Sequence, residues 1–336
     1  MIPIQQHPKQ AFFNMISNYR PWGKLEWLLS RLSAAEYNYY GCLSPEDRCI
    51  APFNVLKQTK AVLNHRFLEI VDPDNTDAHK QNRRYAKAHL DKINEGEINI
   101  KTVELLGPIN IVYEDINTFI EESNGIIVLD ISAFPKRFFF PLVKILLRSK
   151  KVKTLLVTYS TPERYSDSSL SDNPMDWSHI PMFDSDDPDV KFETALVGLG
   201  FMPLGLSTLL KDKFSDLELK LMFPFPPGAP FFQRTWKFIE DMQVTPKIDF
   251  KQIMRVDTLN VSDTFDFIKS LSPENRPILI APYGPKTMSL AMCLFACRTD
   301  SPVYYTQPTS YDPKYSIGVT NTYGYCVKLQ GESLFF

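Results

Sequence analysis

No run in the 336 residues approaches the ~20 apolar residues that cross a bilayer. The N-terminal MIPIQQHPKQAFF lacks the basic region and continuous apolar core of a secretory leader. Both absences point to a cytoplasmic protein. Basic excess is missing too: 37 Lys and Arg against 39 Asp and Glu give a formal charge of -2. That removes the main argument for bulk nucleic-acid binding and leaves room only for a local basic pocket. The five cysteines are odd in number and cannot complete a disulfide framework. Cys293 and Cys297 are four residues apart on an apolar helical stretch without a nearby histidine, so they read as packing residues, not metal ligands. No glycine-rich phosphate loop and no Gly-x-Ser-x-Gly motif occurs, and His7, His65, His79 and His179 show no metal or triad spacing. No catalytic set, metal or cofactor is therefore expected.

What is present is an alternation of short apolar runs with helical segments, which predicts an α/β protein whose mostly parallel sheets are covered by helices on both faces. The predicted strands are 37–43, 66–71, 99–105, 125–131 and 154–160, then 194–200, 217–223, 254–259, 277–282 and 302–306. The two series agree in order and spacing, and four junctions superpose. SAFPKRFFFPLVKILL matches PYGPKTMSLAMCLFA, with Pro135-Lys136 on Pro285-Lys286, and KTLLVTYSTPERYS matches SPVYYTQPTSY. QNRRYAKAHLDKI faces FQRTWKFIEDM, which places Arg83 opposite Arg234, and YYGCLSPEDR faces VGLGFMPLG. The reading is two tandemly duplicated Rossmann-like halves, 37–166 and 193–336, joined by a polar linker, 167–192, and preceded by a short N-terminal helical segment, 1–36. In that segment Trp22, Leu25, Trp27, Leu28 and Leu32 form a docking stripe for a sheet edge or a protein partner.

Ligands of open wound sheets sit beyond the carboxyl ends of the strands, where strand order reverses. Gly284 permits close backbone approach there, Pro285 suits a first helical turn, Lys286 adds a charge and Thr287 a hydroxyl. Lys136 holds the equivalent place in the first half, and Arg48, Arg83, Arg234, Tyr311 and Tyr315 complete the candidate ligand-binding set. Ser44 and Asp47 have capping-box spacing. His89, five residues after Arg84, reads as a helix-surface residue.

The turn PYGPKTMS resembles the Gly-Thr-Lys-x-Met turn of the CRISPR-associated Rossmann-fold sensor family. Gly284, Lys286 and Met288 match in order, while proline stands for threonine and the second glycine is missing. The resemblance covers little more than this turn and the general architecture. It implies a two-lobed pocket for a nucleotide, here made within one chain, and a setting in prokaryotic antiviral defence. The expected function is a non-catalytic ligand-sensing or scaffold subunit binding a nucleotide or other phosphorylated compound in the inter-lobe cleft. Two alternatives remain: a nucleotide- or nucleoside-processing enzyme using Glu46, Asp47 or Glu163, and a purely structural partner in a complex. For the last, the N-terminal helices and FPFPPGAPFF offer apolar contact area.

Overall fold

All ten apolar runs become strands in the computed structural model. The structure describes residues 20–73, 77–90, 98–165, 171–185, 191–200, 204–225, 235–237, 239–240, 253–312 and 315–336. The chain enters through β1 (Trp22–Lys24) and α1 (Leu25–Arg31). It then alternates β2 (Glu36–Leu43), α2 (Ala51–Thr59), β3 (Ala61–Val71), α3 (Asp77–Leu90), β4 (Ile100–Glu104), α4 (Asn110–Glu122), β5 (Ile126–Asp130), α5 (Lys136–Arg148) and β6 (Thr154–Thr161). β7 (Arg164–Tyr165) and β8 (Ser171–His179) precede the second series. That series holds β9 (Thr194–Gly198), α6 (Leu206–Lys211), β10 (Glu218–Phe225), β11 (Ile253–Asp257), α7 (Val261–Ser270), β12 (Leu279–Pro282), α8 (Lys286–Thr299) and β13 (Tyr304–Tyr311). β14 (Ser316–Ile317), β15 (Asn321–Leu329) and β16 (Glu332–Ser333) follow.

In the larger sheet β4, β3, β2, β5 and β6 are parallel neighbours in that order. In the smaller sheet β11, β10, β9 and β12 repeat the arrangement. Counted within its own series, each sheet therefore reads third, second, first, fourth, and β6 adds the fifth. A bridge from Ile280 to Val303 brings the segment entering β13 alongside β12. This is the order of a doubly wound, Rossmann-type sheet, and its reversal falls between the first and fourth strands.

Period-two alternation divides the core. Ile127, Leu129, Leu155 and Val157 of the larger sheet face inward, as do Leu196 and Ile280 of the smaller one, and they share one continuous core. Between the sheets lie α4, α5, α7 and α8, with Phe119, Phe139, Phe265 and Phe295 in that core. In α8 every residue from Thr287 to Cys297 is buried, which is why this helix lacks a polar face. Val128 and Leu156 face outward instead, under α1 and α2, while Val197 and Leu221 are covered by α6.

Two strands change partners. β15 lies antiparallel on β6, and β8 lies antiparallel on β13. Each follows one series in sequence and completes the other in space, while β7 and β14 pair midway. The stretch expected as a polar connection, 167–192, thus contains β8 and the buried residues Ile180 and Phe183. Its polar sequence hides the strand because only one edge is used, and an edge tolerates Pro174.

The N-terminal segment adds β1 to the sheet edge beside β15. The expected stripe holds at Leu25 and Leu28, joined by Leu29, but Trp27 is 48% exposed. At 100° per residue, position 27 lies off the face shared by 25, 28 and 29. Residues 1–19 lie outside the described residues. Likewise, the Phe- and Pro-rich run is described only as far as Phe225, which is exposed. No helix among the described residues is long and apolar enough to cross a membrane.

Candidate functional site

A cavity of about 250 Å³ opens where the two reversal points face each other. The segment after β2 supplies Ser44, Glu46 and Arg48, and the turn before α5 supplies Phe134 and Lys136. From the other half come Gly200, Tyr283, Gly284 and Lys286, with Tyr305, Tyr311 and Tyr315. Tyr159 and Tyr165 bring the tyrosines on the wall to six.

The lysines cross between the halves. Lys136 Nζ donates to the Gly284 carbonyl (3.0 Å), and Lys286 Nζ donates to the Ser132 carbonyl (2.6 Å). Lys136 also stands 4.9 Å over the Tyr305 ring. Each lysine opens its helix directly after a proline, so the same local geometry projects both toward the joint. They stand 150 residues apart, as do Tyr165 and Tyr315, whose rings approach to 5.1 Å. Burial, reinforced by the neighbouring Lys286, pulls the Lys136 ammonium down to about 7. For Lys286 burial and Arg48 lower the value to about 8 against the pull of Glu46.

Arg48 is almost fully buried, and its guanidinium meets Glu46 at 2.7 Å. It also donates to the Tyr159 hydroxyl (3.3 Å). Burial alone would raise the Glu46 carboxyl, but Arg48, Lys286 and the Ser316 hydroxyl hold it below the usual carboxylate range. Glu46 is thus a fixed anion with two partners, a poor proton donor. Asp47 accepts from the Gly318 amide (3.0 Å), and Glu163 is exposed; neither lines the cavity.

Beneath the cavity floor lies Asp130, at the end of β5. Its Oδ1 accepts from the Ser132 amide (3.1 Å), the Ser132 hydroxyl (2.6 Å) and the Thr158 hydroxyl (3.2 Å). Among the described residues Oδ2 is buried and meets no donor at hydrogen-bond geometry, the Tyr39 hydroxyl being the side chain that interacts with the carboxyl from β2. Burial raises the carboxyl to about 6 despite these bonds. Asp130→Asn keeps the acceptor and removes the charge, so urea unfolding at neutral pH should change by less than about 1 kcal/mol. Asp130→Ala orphans the donors and should cost about 2–3 kcal/mol.

Of the candidate residues, Gly284, Lys286, Lys136, Arg83, Arg48, Tyr311 and Tyr315 line this one cavity. Arg83 is engaged there by Glu69, at 3.1 and 3.3 Å. Thr287 does not line it: one residue past Lys286 the helix has turned away, and the side chain is buried. Arg234 lies outside the described residues. His89 is buried, with Nε2 2.9 Å from the Pro45 carbonyl oxygen, because the segment after β2 packs over α3. Ser44 does not cap α2; its hydroxyl accepts from the Glu46 amide (3.2 Å), and the helix begins only at Ala51.

Gly284 has a packing reason. A Cβ there would lie 3.0 Å from the Leu199 carbonyl oxygen and 2.7 Å from the Met288 sulfur. A Cβ on Gly200 would run into the Tyr283 carbonyl. The glycines let the turns after β9 and β12 close on each other. Tyr159, Tyr283 and Tyr305 were not among the candidates, and Tyr165 entered only through the matched junctions after the fifth strands, where a proline and a tyrosine follow in both halves.

Fold and site together define a protein of two facing α/β halves with one cavity at their joint. No known protein family and no curated protein matches the chain. Among solved structures it is similar to a protein of Pseudomonas aeruginosa UCBPP-PA14 described as a universal stress protein. The identity is 10%, 82% of this chain and 94% of that one are covered, and the TM-score is 0.24. It is also similar to a functionally unknown protein of Pseudomonas aeruginosa PAO1, with 9% identity, 81% and 92% coverage and a TM-score of 0.26.

Proposed function

We propose that this protein is a non-catalytic ligand-sensing subunit that holds a nucleotide or other phosphorylated compound between its two halves. Supporting this reading above all is the pair Lys136 and Lys286, one from each half, set in a single cavity beside Arg48. Among the described residues the wall carries four cations, Lys136, Lys286, Arg48 and Arg83, and four carboxylates, Glu46, Glu69, Asp72 and Asp312; Arg48 engages Glu46 and Arg83 engages Glu69, so the two lysines at the joint are the cations placed to meet an anion there. The tyrosines offer ring faces for a base. A ligand touching both reversal points bridges both sheets and stabilises one relative setting of the halves, which a protein partner can read. The repeated strand order and the 150-residue spacing of the lysines and tyrosines favour a tandem duplication as the origin of this arrangement.

Calorimetric titration with AMP, ADP and ATP tests the reading. Saturable binding is expected, weakened about 10- to 100-fold in Lys286→Ala, because a hydrogen bond from a charged group is worth about 1.5–3 kcal/mol. Unchanged affinity in that variant would remove Lys286 from the site.

A further inference from the structure

The two lysines reach across the joint in opposite directions, each held by a backbone carbonyl of the other half. Among the described residues neither makes an ion pair. The charged and titratable neighbours come from several elements. Glu46 and Arg48 follow β2, and they satisfy each other at 2.7 Å, with Ser316 as a further donor to Glu46. Cys42 lies on β2 itself, and Asp130 ends β5 with its Oδ1 committed to Ser132 and Thr158. Glu69 on β3 is committed to Arg83 and Thr102. Tyr283, just past β12, and Tyr305 and Tyr311 of β13 line the same wall, as do Asp72 and Asp312.

A carbonyl dipole supports one positive charge poorly and does nothing to screen two charges from each other. A phosphoryl group seated between the lysines would do both. Resting on the phosphorylated-ligand reading above, we propose that the cavity is a proton-coupled phosphate site: an anion bound between Lys136 and Lys286 takes up about one proton from solvent. The anion also competes with the Gly284 and Ser132 carbonyls for the ammoniums, so binding and protonation together loosen the two cross-braces between the halves.

The direction of titration agrees. Burial and the neighbouring Lys286 bring Lys136 to about 7, and burial with Arg48 brings Lys286 to about 8, so the pair is incompletely protonated at about pH 8. Their titrations are coupled and belong to the pair. An anion raises both values, and the difference appears as proton uptake. Several neighbours do not change at that pH. Asp130, near 6, and Glu46, held low, are ionised; the Cys42 thiol and the hydroxyls of Tyr283, Tyr305 and Tyr311, all pushed up by burial, keep their protons.

Titrate the full chain with AMP, and separately with inorganic phosphate, at about pH 8 in buffers of low and high ionisation enthalpy. The phosphate of AMP is already a dianion there, with its second pKa near ~6. The observed heat should change with buffer by an amount equal to about one proton per site. Affinity for AMP should fall about tenfold per unit between roughly pH 8 and 9. Lys136→Arg, which stays charged throughout this range, should bind AMP with markedly reduced uptake, an effect that a purely structural role would not produce. Saturable binding whose heat is the same in both buffers overturns the proton coupling and leaves the ligand reading standing. Absence of binding by either probe overturns both. Should Lys136→Arg fail to fold, the buffer series on the unaltered protein still decides.

Discussion

Arg48→Met is expected to destabilise the protein by about 3–5 kcal/mol, the usual effect of leaving one partner of a buried ion pair uncompensated. The side chains of Arg48 and Glu46 are only 6% and 14% exposed, so water entering from the cavity replaces the missing guanidinium incompletely. Glu46 keeps the Ser316 hydroxyl and the more distant Lys286, which limits the loss without cancelling it. The double variant Arg48→Met with Glu46→Gln should recover most of the stability, since no charge is then stranded. Urea unfolding of the two single variants and the double variant measures this as a coupling energy. Additive losses would mean that the pair is not a unit. The sign with pH is also fixed. In the unaltered protein the Glu46 carboxyl lies below its unfolded value, so its contribution is present above that value and fades as pH falls through the folded one. In Arg48→Met the deficit should instead shrink on acidification, because protonating Glu46 removes the stranded charge.

Lys136→Met combined with Lys286→Met should separate binding from stability. Anion binding should fall by more than about 100-fold, since two charge-assisted contacts disappear together. Stability at pH 7 should rise by about 2–4 kcal/mol, the shifts from 10.5 to about 7 and about 8 being discounted because both side chains open onto the cavity. Here the folded values lie below the unfolded ones, so the unfolded chain binds more protons between them. The unaltered protein therefore gains stability as pH rises from about 7 toward 10.5, and the advantage of the double variant is largest near neutrality and vanishes in alkali. Thermal unfolding at several pH values, beside calorimetry with AMP, checks both halves of the prediction. A double variant less stable than the parent at pH 7 would show that the lysines serve chiefly as braces between the halves. Such a gain on loss of a binding group is the expected sign of a site kept at the expense of stability.

Local sequence carried the strands well where one strand is buried on both faces. TLLVTYS of β6 and LIAP of β12 are continuous apolar runs with turn residues beyond them, which a parallel strand requires. The Pro-Lys junction was equally legible, because proline at a helix start and a charge beside it are properties of adjacent residues. β8 and β15 were not legible. SDNPMDWSH is a polar edge segment, and NTYGYCVKL is interrupted by Gly324, whose missing side chain makes room for Leu25 and Leu28 of α1. That reason exists only once the helix lies on the strand.

The sequence by itself determined the α/β class, the order of its strands along the chain and the two lysines at the starts of corresponding helices, since each depends on periodicity or on neighbouring residues. Tertiary structure decided which sheet β8 and β15 join, that Arg48 turns inward to Glu46, and that both lysines and six tyrosines meet in one cavity. Hydrogen bonding between remote strands, and the loss of water around side chains more than 100 residues apart, leave no local pattern; they appear only when the halves close on each other.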